Sequence, residues 1–250
     1  MRVLLRSLCL ASLALAAAAA HAGEVQVAVA ANFAGALERI AAGFTAATGH
    51  TVKVSAGGTG RLHSQIVAGA PFEVLLAADD ESPKKLQALG LAVPGTRFTY
   101  AVGRLALWSA RPGLVDDQGA VLAKGGFAHL AVANPKLAPY GAAAMQVLEA
   151  KGLAGALAPK LVSGESIAQT YQFVATGNAE LGFVALSQLL VPGRPAAGSY
   201  WLVPPSLYAP IRQDAVLLKA GEGNPAARAL LAWLKSEPAR EVMQVFGYSH

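Results

Sequence analysis

The sequence has a single cysteine and few histidines, and this scarcity limits the chemistry available to it. Cys9 lies in an apolar stretch near the start of the chain, so the rest of the protein can form neither a disulfide nor a thiol nucleophile. His50, His63 and His129 lie far apart and have neither the i, i+4 spacing nor the cysteine partners of a metal centre. We therefore expect no protein-ligated metal cation and no thiol catalysis.

The sequence also lacks clustered positive charge. It holds 20 Lys and Arg against 15 Asp and Glu, and Lys84-Lys85 is its only adjacent basic pair. Without Arg2 and Arg6 of the N-terminal segment, 18 basic side chains remain against 15 acidic ones, which is a net charge of +3. A nucleic-acid surface needs a basic stripe that follows the phosphate backbone, so nucleic acid is excluded as a partner.

The N-terminal segment has the features of a targeting signal. Arg2 and Arg6 form a charged start, residues 8–20 are apolar, and Ala20-His21-Ala22 is a small-residue cleavage site. The apolar stretch is shorter than the roughly 20 residues that a membrane-spanning helix needs. We predict a cleavable signal peptide over residues 1–22, export to the periplasm, and a mature chain that begins at Gly23 and is not inserted in a membrane.

Short apolar runs alternate with longer segments of helical composition, which predicts an α/β fold with mostly parallel sheets. No Pro/Ser-rich linker divides the chain, so two lobes would have to share one continuous chain. Strands are predicted over residues 25–30, 52–55, 74–77, 100–108, 130–133, 181–185 and 214–218. Helices are predicted over residues 33–47, 61–68, 83–88, 141–151, 167–176, 225–234 and 238–246.

Four of the predicted helices begin directly after a short polar or glycine-bearing turn. The four turns are Ala30-Ala31-Asn32-Phe33, Gly57-Gly58-Thr59-Gly60, Pro139-Tyr140-Gly141 and Gly164-Glu165-Ser166-Ile167. In an α/β sheet such turns lie at the carboxyl ends of strands, where ligands bind, and exposed N–H groups at helix starts attract anions. Each polar side chain taken alone could equally be an ordinary helix cap. Together the four starts predict a site for a small anion.

The glycine-rich turn lacks the residues of a nucleotide-binding loop. A P-loop has a Lys-Ser/Thr pair after its last glycine, whereas Gly60 is followed by Arg61-Leu62. Nucleotide hydrolysis is therefore not expected. The turn is better suited to bind a small anion through its backbone N–H groups and the hydroxyl of Thr59, which occupies the place of a helix N-cap.

Five segments carry a family resemblance: AVAANF over residues 28–33, GGTGRLHSQI over 57–66, GAPFEVLLAADD over 69–80, ANPKLAPYG over 133–141 and GNAELGFVALSQ over 177–188. Together they resemble the periplasmic molybdate-binding proteins of ABC importers. The resemblance implies a two-lobed class II periplasmic binding fold, in which each lobe is a mostly parallel sheet flanked by helices and two chain crossings form a hinge. The first lobe would hold residues 23–103 and 204–250, and the second residues 104–203.

The resemblance also implies the ligand and the residues that hold it. The ligand would be molybdate or tungstate, with no cofactor, delivered by a monomeric protein to the membrane permease of the importer. The expected binding residues are Ala31, Asn32, Gly58, Thr59, Tyr140, Ser166 and Ile167. Asn32 and Thr59 would each contribute a side-chain donor. Some members place a tyrosine where Ala185 stands and an alanine where Tyr140 stands, so we predict that Tyr140 supplies the donor that Ala185 cannot.

Donor counting explains why such a site favours these anions. Molybdate and sulfate carry no proton near neutral pH, so a site made only of hydrogen-bond donors satisfies all their oxygens. Phosphate keeps a proton and needs an acceptor, and Glu165, the one carboxylate near the four starts, is expected to face away. Sulfate and other small anions remain an alternative, since sulfate is rejected only by the size of the cavity.

One enzymatic alternative is also open. Gly164-Glu165-Ser166-Ile167-Ala168 resembles the G-x-S-x-G turn of serine hydrolases, and Asp214 and His250 follow in the chain order of an α/β-hydrolase triad. However, the fifth position is alanine and no HGGG-like oxyanion loop precedes it. We therefore predict a binding protein rather than an enzyme.

Overall fold

The structure, a computed structural model, describes residues 22–194 and 197–249. Apart from Ala22, the predicted signal peptide lies outside the described residues, as does His250.

The described residues form ten strands and ten α-helices. The strands are β1 Glu24–Ala30, β2 Thr51–Gly57, β3 Val74–Leu76, β4 Phe98–Gly103, β5 Leu105–Ser109, β6 Leu130–Ala133, β7 Leu161–Gly164, β8 Leu181–Ala185, β9 Ser199–Leu202 and β10 Ile211–Leu217. The helices are α1 Ala34–Thr48, α2 Thr59–Val67, α3 Glu81–Ala88, α4 Val121–Lys124, α5 Pro139–Ala150, α6 Ala154–Leu157, α7 Ile167–Ala175, α8 Leu186–Leu189, α9 Pro225–Trp233 and α10 Glu237–Val245.

The strands form two five-stranded sheets of matching design. The first sheet has the order β2-β1-β3-β10-β4 and the second the order β7-β6-β8-β5-β9. In each sheet four strands run in one direction, and one strand, β10 or β5, runs antiparallel to both of its neighbours. We call each sheet with its flanking helices a lobe. The predicted α/β class with mostly parallel sheets is therefore confirmed.

The apolar pattern of the strands explains why each sheet is covered on both faces. Val25, Val27 and Val29 point into one apolar cluster, whereas Ala28 of the same strand packs into another. A parallel strand buried on both faces reads as a continuous apolar run, as these residues do. On one face α1 presents Leu37 and its apolar neighbours at helical spacing, so burial of this stripe holds the helix on the sheet.

The chain crosses between the lobes twice. The strand predicted over residues 100–108 is wrong in one respect, because it is interrupted at Arg104 and its halves, β4 and β5, belong to different sheets. The return crossing runs from β9 to β10 over residues 203–210. At the first crossing, a Cβ on Gly103 would lie 2.5 Å from the Gln213 side-chain nitrogen and still closer to the Tyr140 hydroxyl. Only glycine therefore leaves room for these two side chains.

Two strands, β7 and β9, were not predicted from the sequence. β7 has only two apolar residues, Leu161 and Val162, before Ser163 and Gly164, which is too short a run to identify as a strand. Strand β7 forms because it pairs with β6, and this pairing places Gly164 just before the start of α7.

Candidate functional site

A small cavity lies between the two lobes, where the four helix starts meet. Its volume is about 10 Å³. The lining residues are Ala30, Ala31, Asn32, Gly57, Gly58, Thr59, Ala78, Ala138, Pro139, Tyr140 and Ile167. None of them carries a charged side chain. Pockets for drug-sized organic ligands are ~300–1,000 Å³, so this interlobe cavity suits a single small ion or molecule.

Each lobe contributes two backbone turns to the interlobe cavity. Ala31 and Asn32 lie in a 3₁₀ turn between β1 and α1, and Thr59 is the first residue of α2. In the second lobe, Tyr140 follows Pro139 at the start of α5, and Ile167 begins α7. The N–H groups of a first helical turn have no acceptor within their own helix, and the helix dipole adds partial positive charge there. The cavity is therefore positive without any cationic side chain.

The Thr59 hydroxyl is held so that it can donate into the cavity. Gly58, not Thr59, is the N-cap of α2, so the expected capping role of Thr59 is not what the structure shows. The Thr59 Oγ1 instead accepts a hydrogen bond of 3.0 Å from the backbone N–H of Ala78, and the side chain is buried. The hydroxyl proton has no acceptor among the described residues. A buried donor without a partner costs about 1–3 kcal/mol, so this proton favours an acceptor inside the cavity.

Tyr140 provides a similar hydroxyl from the second lobe. Its Oη accepts a hydrogen bond of 3.1 Å from Gln213 Nε2 and has no acceptor for its own proton within the described chain. The side chain is 1% exposed, and burial raises the pKa of this phenol well above its usual value. Tyr140 therefore remains a neutral donor at physiological pH.

Asn32 lies at the cavity, but its side-chain amide is already engaged. Asn32 Nδ2 donates to Gln213 Oε1 at 2.9 Å and to the Tyr248 hydroxyl at 3.0 Å, which uses both of its hydrogens. The group that Asn32 offers to a ligand is therefore its backbone N–H. The sequence had suggested a role for its side chain.

Ser166 does not line the interlobe cavity. Its hydroxyl is the N-cap of α7 and accepts from the backbone N–H of Gln169 at 3.3 Å, so the capping alternative holds for this residue. Ser166 borders a separate pocket at the outer mouth of the cleft.

The two described residues of the hydrolase alternative, Ser166 and Asp214, are engaged with other partners. Asp214 is fully buried, and its carboxylate is bonded to Arg97 and to the Thr99 hydroxyl. These partners occupy the carboxylate that would have to orient a histidine. His250 falls outside the described residues. Ser166 meanwhile serves as a helix cap, so the structure gives the esterase reading no support.

The two lobes touch around the interlobe cavity. The backbone N–H of Gly60 donates to the Leu137 carbonyl across the cleft at 2.9 Å. A Cβ on Gly58 would lie 2.8 Å from the Glu165 carbonyl oxygen, so glycine permits this approach. Arg61 and Glu165 form an exposed ion pair of 3.8 Å above it, and the Glu165 side chain faces solvent as expected. The structure therefore shows the closed arrangement of the lobes.

A much larger cleft lies beside the interlobe cavity and differs from it in charge. Its volume is about 590 Å³, and Asp79, Lys85, Lys136 and Arg212 line it. Burial raises the pKa of Asp79, while its hydrogen bonds to Ser82 oppose that shift. We call this pocket the charged cleft. Within the described ranges no group of three His, Cys, Asp or Glu side chains is placed to hold a metal ion.

Sequence reasoning missed four of the six buried polar side chains at and behind the interlobe cavity. Six buried side chains form one hydrogen-bonded set, which we call the hinge cluster: Asn32, Tyr100, Tyr140, Ser187, Gln213 and Tyr248. Gln213 and Tyr248 lie far from the other candidates in the sequence, and no motif marks them. In β10 Gln213 stands between Arg212 and Asp214, so the local sequence gives no signal that its side chain is buried.

Comparisons with known proteins agree with this geometry. The family model for bacterial extracellular solute-binding proteins matches residues 25–249. The molybdate-binding protein ModA of Azotobacter vinelandii is 62% identical over 234 residues, which cover 94% of this chain and 93% of that protein. ModA of Rhodobacter capsulatus is 55% identical over 229 residues, with 92% and 89% covered.

A solved structure gives the same result. The periplasmic molybdate-binding protein of Azotobacter vinelandii matches with a TM-score of 0.88 and 44% identity, and the match covers 90% of this chain and 99% of that chain. The match confirms the class II periplasmic binding fold, and the family resemblance seen in the sequence is confirmed with it. The chain belongs to the bacterial extracellular solute-binding proteins and, within them, to the molybdate-binding ModA family.

Proposed function

We propose that the mature protein captures molybdate or tungstate in the interlobe cavity and delivers it to the membrane permease of an ABC importer. The observation that carries this proposal is a buried cavity lined by four helix starts, two hydroxyls and no charged side chain. The family is extracellular, and the N-terminal signal pattern supports export to the periplasm. The relatives that share most of the chain bear the name molybdate-binding protein.

The donors proposed for the oxyanion come from both lobes. The Thr59 and Tyr140 hydroxyls would each donate one hydrogen bond, and backbone N–H groups of Ala31 or Asn32, Thr59, Tyr140 and Ile167 would supply the rest. Hydrogen bonds to a charged acceptor are stronger than those between neutral groups. A dianion could therefore be held in a buried site without a counter-charge.

The absence of an acceptor among these groups would give the anion selectivity. A phosphate that carries a proton needs an acceptor in the site, whereas a proton-free oxyanion needs donors only. No carboxylate lines the cavity. Phosphate is therefore disfavoured, and the fit of the cavity to the longer Mo–O bonds would separate molybdate from sulfate.

Closure of the lobes would report that the site is occupied. We propose lobe limits of 23–103 with 204–250 and of 104–203, supported by the two sheets and the positions of the crossings. A ligand that contacts both lobes stabilises the closed state by its differential affinity. The permease would then distinguish the closed, loaded protein from the open one. We propose that the protein is not an enzyme and works as a monomer.

Titration calorimetry on the mature, ligand-stripped protein tests this function. Molybdate and tungstate are expected to bind at sub-micromolar concentration or tighter, sulfate more weakly, and phosphate without detectable heat. Equal affinity for sulfate and molybdate would overturn the molybdate assignment in favour of a general oxyanion carrier. Hydrolysis of an activated ester that depends on Ser166 would overturn the non-enzymatic reading.

A further inference from the structure

Gln213 is the centre of the hinge cluster behind the interlobe cavity. The residue lies in β10 at a register shift between Gln213 and Asp214, and it is 0% exposed. Bulges of this kind redirect a side chain and are frequent beside functional sites. Here the unpaired residue is Tyr100 of β4, and its hydroxyl contacts the side-chain amide of Gln213, the only glutamine of β10.

The two ends of the Gln213 amide have different partners. Its Oε1 accepts from Asn32 Nδ2 at 2.9 Å and from the Tyr100 hydroxyl at 3.1 Å. Its Nε2 donates to the Tyr140 hydroxyl at 3.1 Å. The side chain therefore joins Asn32 and Tyr140, which line the cavity from opposite lobes.

This arrangement determines what the Tyr140 hydroxyl can do. A phenolic oxygen that accepts an N–H on one side of its ring plane directs its own proton to the other side. That proton has no acceptor among the described residues, although Tyr140 is buried. The Gln213 amide thus fixes the hydroxyl as a donor and leaves it unable to accept a proton from a ligand.

We infer that Gln213 is a positioning residue for the anion site: it holds the Tyr140 hydroxyl as a donor to the bound oxyanion and so contributes to the rejection of protonated anions. The inference rests on the proposed function of the cavity. Gln213 itself does not line the interlobe cavity and acts through Tyr140. This contribution to anion selectivity depends on the Gln213 side chain, which belongs to the opposite lobe from Tyr140, and not on the backbone N–H groups alone.

Gln213→Glu tests the inference because glutamate has the same shape but its carboxylate cannot donate. In this variant the Tyr140 proton would turn to the carboxylate, and a negative charge would lie beside the dianion. Binding would then require the glutamate to be protonated, since the protonated acid can again donate to Tyr140. The variant should therefore take up a proton when it binds molybdate, whereas the wild-type protein should not.

The surroundings of position 213 allow this uptake to be assigned to the introduced carboxyl. Tyr100 and Tyr140 contact the Gln213 amide, and Tyr248 contacts the neighbouring Asn32. Burial raises the pKa of each of these tyrosines, so they stay protonated. The neighbouring Asp214 carboxylate is bonded to Arg97. The three tyrosines are therefore not expected to exchange a proton near neutral pH.

The measurement is calorimetry with molybdate between pH 6 and 9, in pairs of buffers with different heats of ionisation. For Gln213→Glu we expect uptake to rise towards about one proton per molybdate, and affinity to fall by about tenfold per pH unit at the upper end. The wild-type protein and the exposed control Gln118→Glu should show neither effect. An affinity of Gln213→Glu that does not depend on pH, whether equal to that of wild type or lower, overturns the inference.

A second variant keeps the inference testable if Gln213→Glu does not fold. Tyr140→Phe removes the hydroxyl and leaves Gln213 in place, and it should lower molybdate affinity by at least about tenfold, the loss of one charge-assisted hydrogen bond. Unchanged affinity in a folded Tyr140→Phe protein overturns the inference. If wild type binds another oxyanion instead of molybdate, the proposed function fails separately, and the same two variants are then tested with that oxyanion.

Discussion

The two lobes provide equivalent donors to the interlobe cavity but support them differently. Each lobe has a sheet of the same order and contributes two helix starts and one buried hydroxyl. In the first lobe the Thr59 hydroxyl is held by a backbone N–H of its own lobe, that of Ala78. In the second lobe the Tyr140 hydroxyl is held by Gln213, a side chain of the first lobe.

The difference shows two ways to fix a hydroxyl as a donor. A backbone N–H is set by the fold of one lobe and does not depend on the position of the other. The Gln213 amide, in contrast, depends on residues of both lobes and lies beside the first crossing at Gly103. The orientation of the Thr59 hydroxyl therefore depends on one lobe only. The orientation of the Tyr140 hydroxyl depends on the contact between the lobes beside the hinge.

The hinge cluster predicts the largest effect, a loss of stability at alkaline pH. Burial raises the pKa of Tyr100, Tyr140 and Tyr248, so the folded protein keeps protons that the unfolded chain loses near pH 10. Their stabilisation is complete below that pH and is lost as pH rises, at about 1.4 kcal/mol per pH unit for each tyrosine. Thermal unfolding between pH 9 and 11 measures it. Tyr248→Phe should reduce the slope by about a third, and an unchanged slope would contradict the role of the cluster.

Thr59→Val tests the locally supported half of the site. The substitution removes one donor to the charged anion, so we expect about 1.5–3 kcal/mol of lost molybdate affinity. It also leaves the Ala78 N–H without its partner, which lowers the stability of the free and the bound protein alike. Thr59→Ser is the matched control, because it keeps the hydroxyl and should retain most of the affinity. Calorimetry of both variants decides the point. A loss of affinity in Thr59→Ser with none in Thr59→Val would show that the methyl group, rather than the hydroxyl, matters.

Gly58→Ala tests the contact between the lobes without disturbing either one. Gly58 has φ −67° and ψ 139°, which alanine adopts freely, but the added Cβ would lie 2.8 Å from the Glu165 carbonyl oxygen. Overpacking of this kind costs about 1–3 kcal/mol, so affinity should fall while thermal stability of the ligand-free protein is retained. Gly155→Ala, with no atom within 4 Å, is the control. Wild-type affinity in Gly58→Ala would mean that closure does not need this approach.

The smallest effect is expected at the mouth of the cleft. Arg61 and Glu165 pair across the lobes, but both are exposed, and such pairs contribute about 0–1 kcal/mol. Arg61→Gln should change molybdate affinity less than threefold, and any change should disappear in high salt. A salt-independent loss of tenfold or more would place Arg61 among the binding residues and weaken the idea of a neutral site.

Much of the fold was readable from local patterns. Strands β6 and β8 have the predicted limits, and β1 and the helices that follow β1, β2, β6 and β7 lie within a few residues of theirs. These elements have strong apolar periodicity and clear turn residues, which are local properties of the chain. The apolar pattern did not show the interruption at Arg104, because the residues on both sides are apolar and only the sheets they join distinguish them. The lobe limit expected at residues 103 and 104 came from the family resemblance instead.

For the candidate site, the sequence predicted the backbone turns better than the side-chain contacts. The four turns were visible because each has a local signal, and the structure brings them to one cavity. The hydrogen bonds behind that cavity were not predictable, since Asn32 contacts Gln213 and Tyr248 at sequence separations of 181 and 216 residues. No local rule assigns partners across such distances. The same reason explains why the Asn32 side chain was expected to face the ligand.

A crystal structure of the protein with molybdate, with the metal located by its anomalous scattering, tests the central claim most directly. The neutral cavity and the charged cleft lie side by side, and only one of them contains the cationic side chains of Lys85, Lys136 and Arg212. The account predicts the molybdenum peak in the neutral cavity, with its oxygens within hydrogen-bond distance of the Thr59 and Tyr140 hydroxyls. A peak in the charged cleft would contradict it.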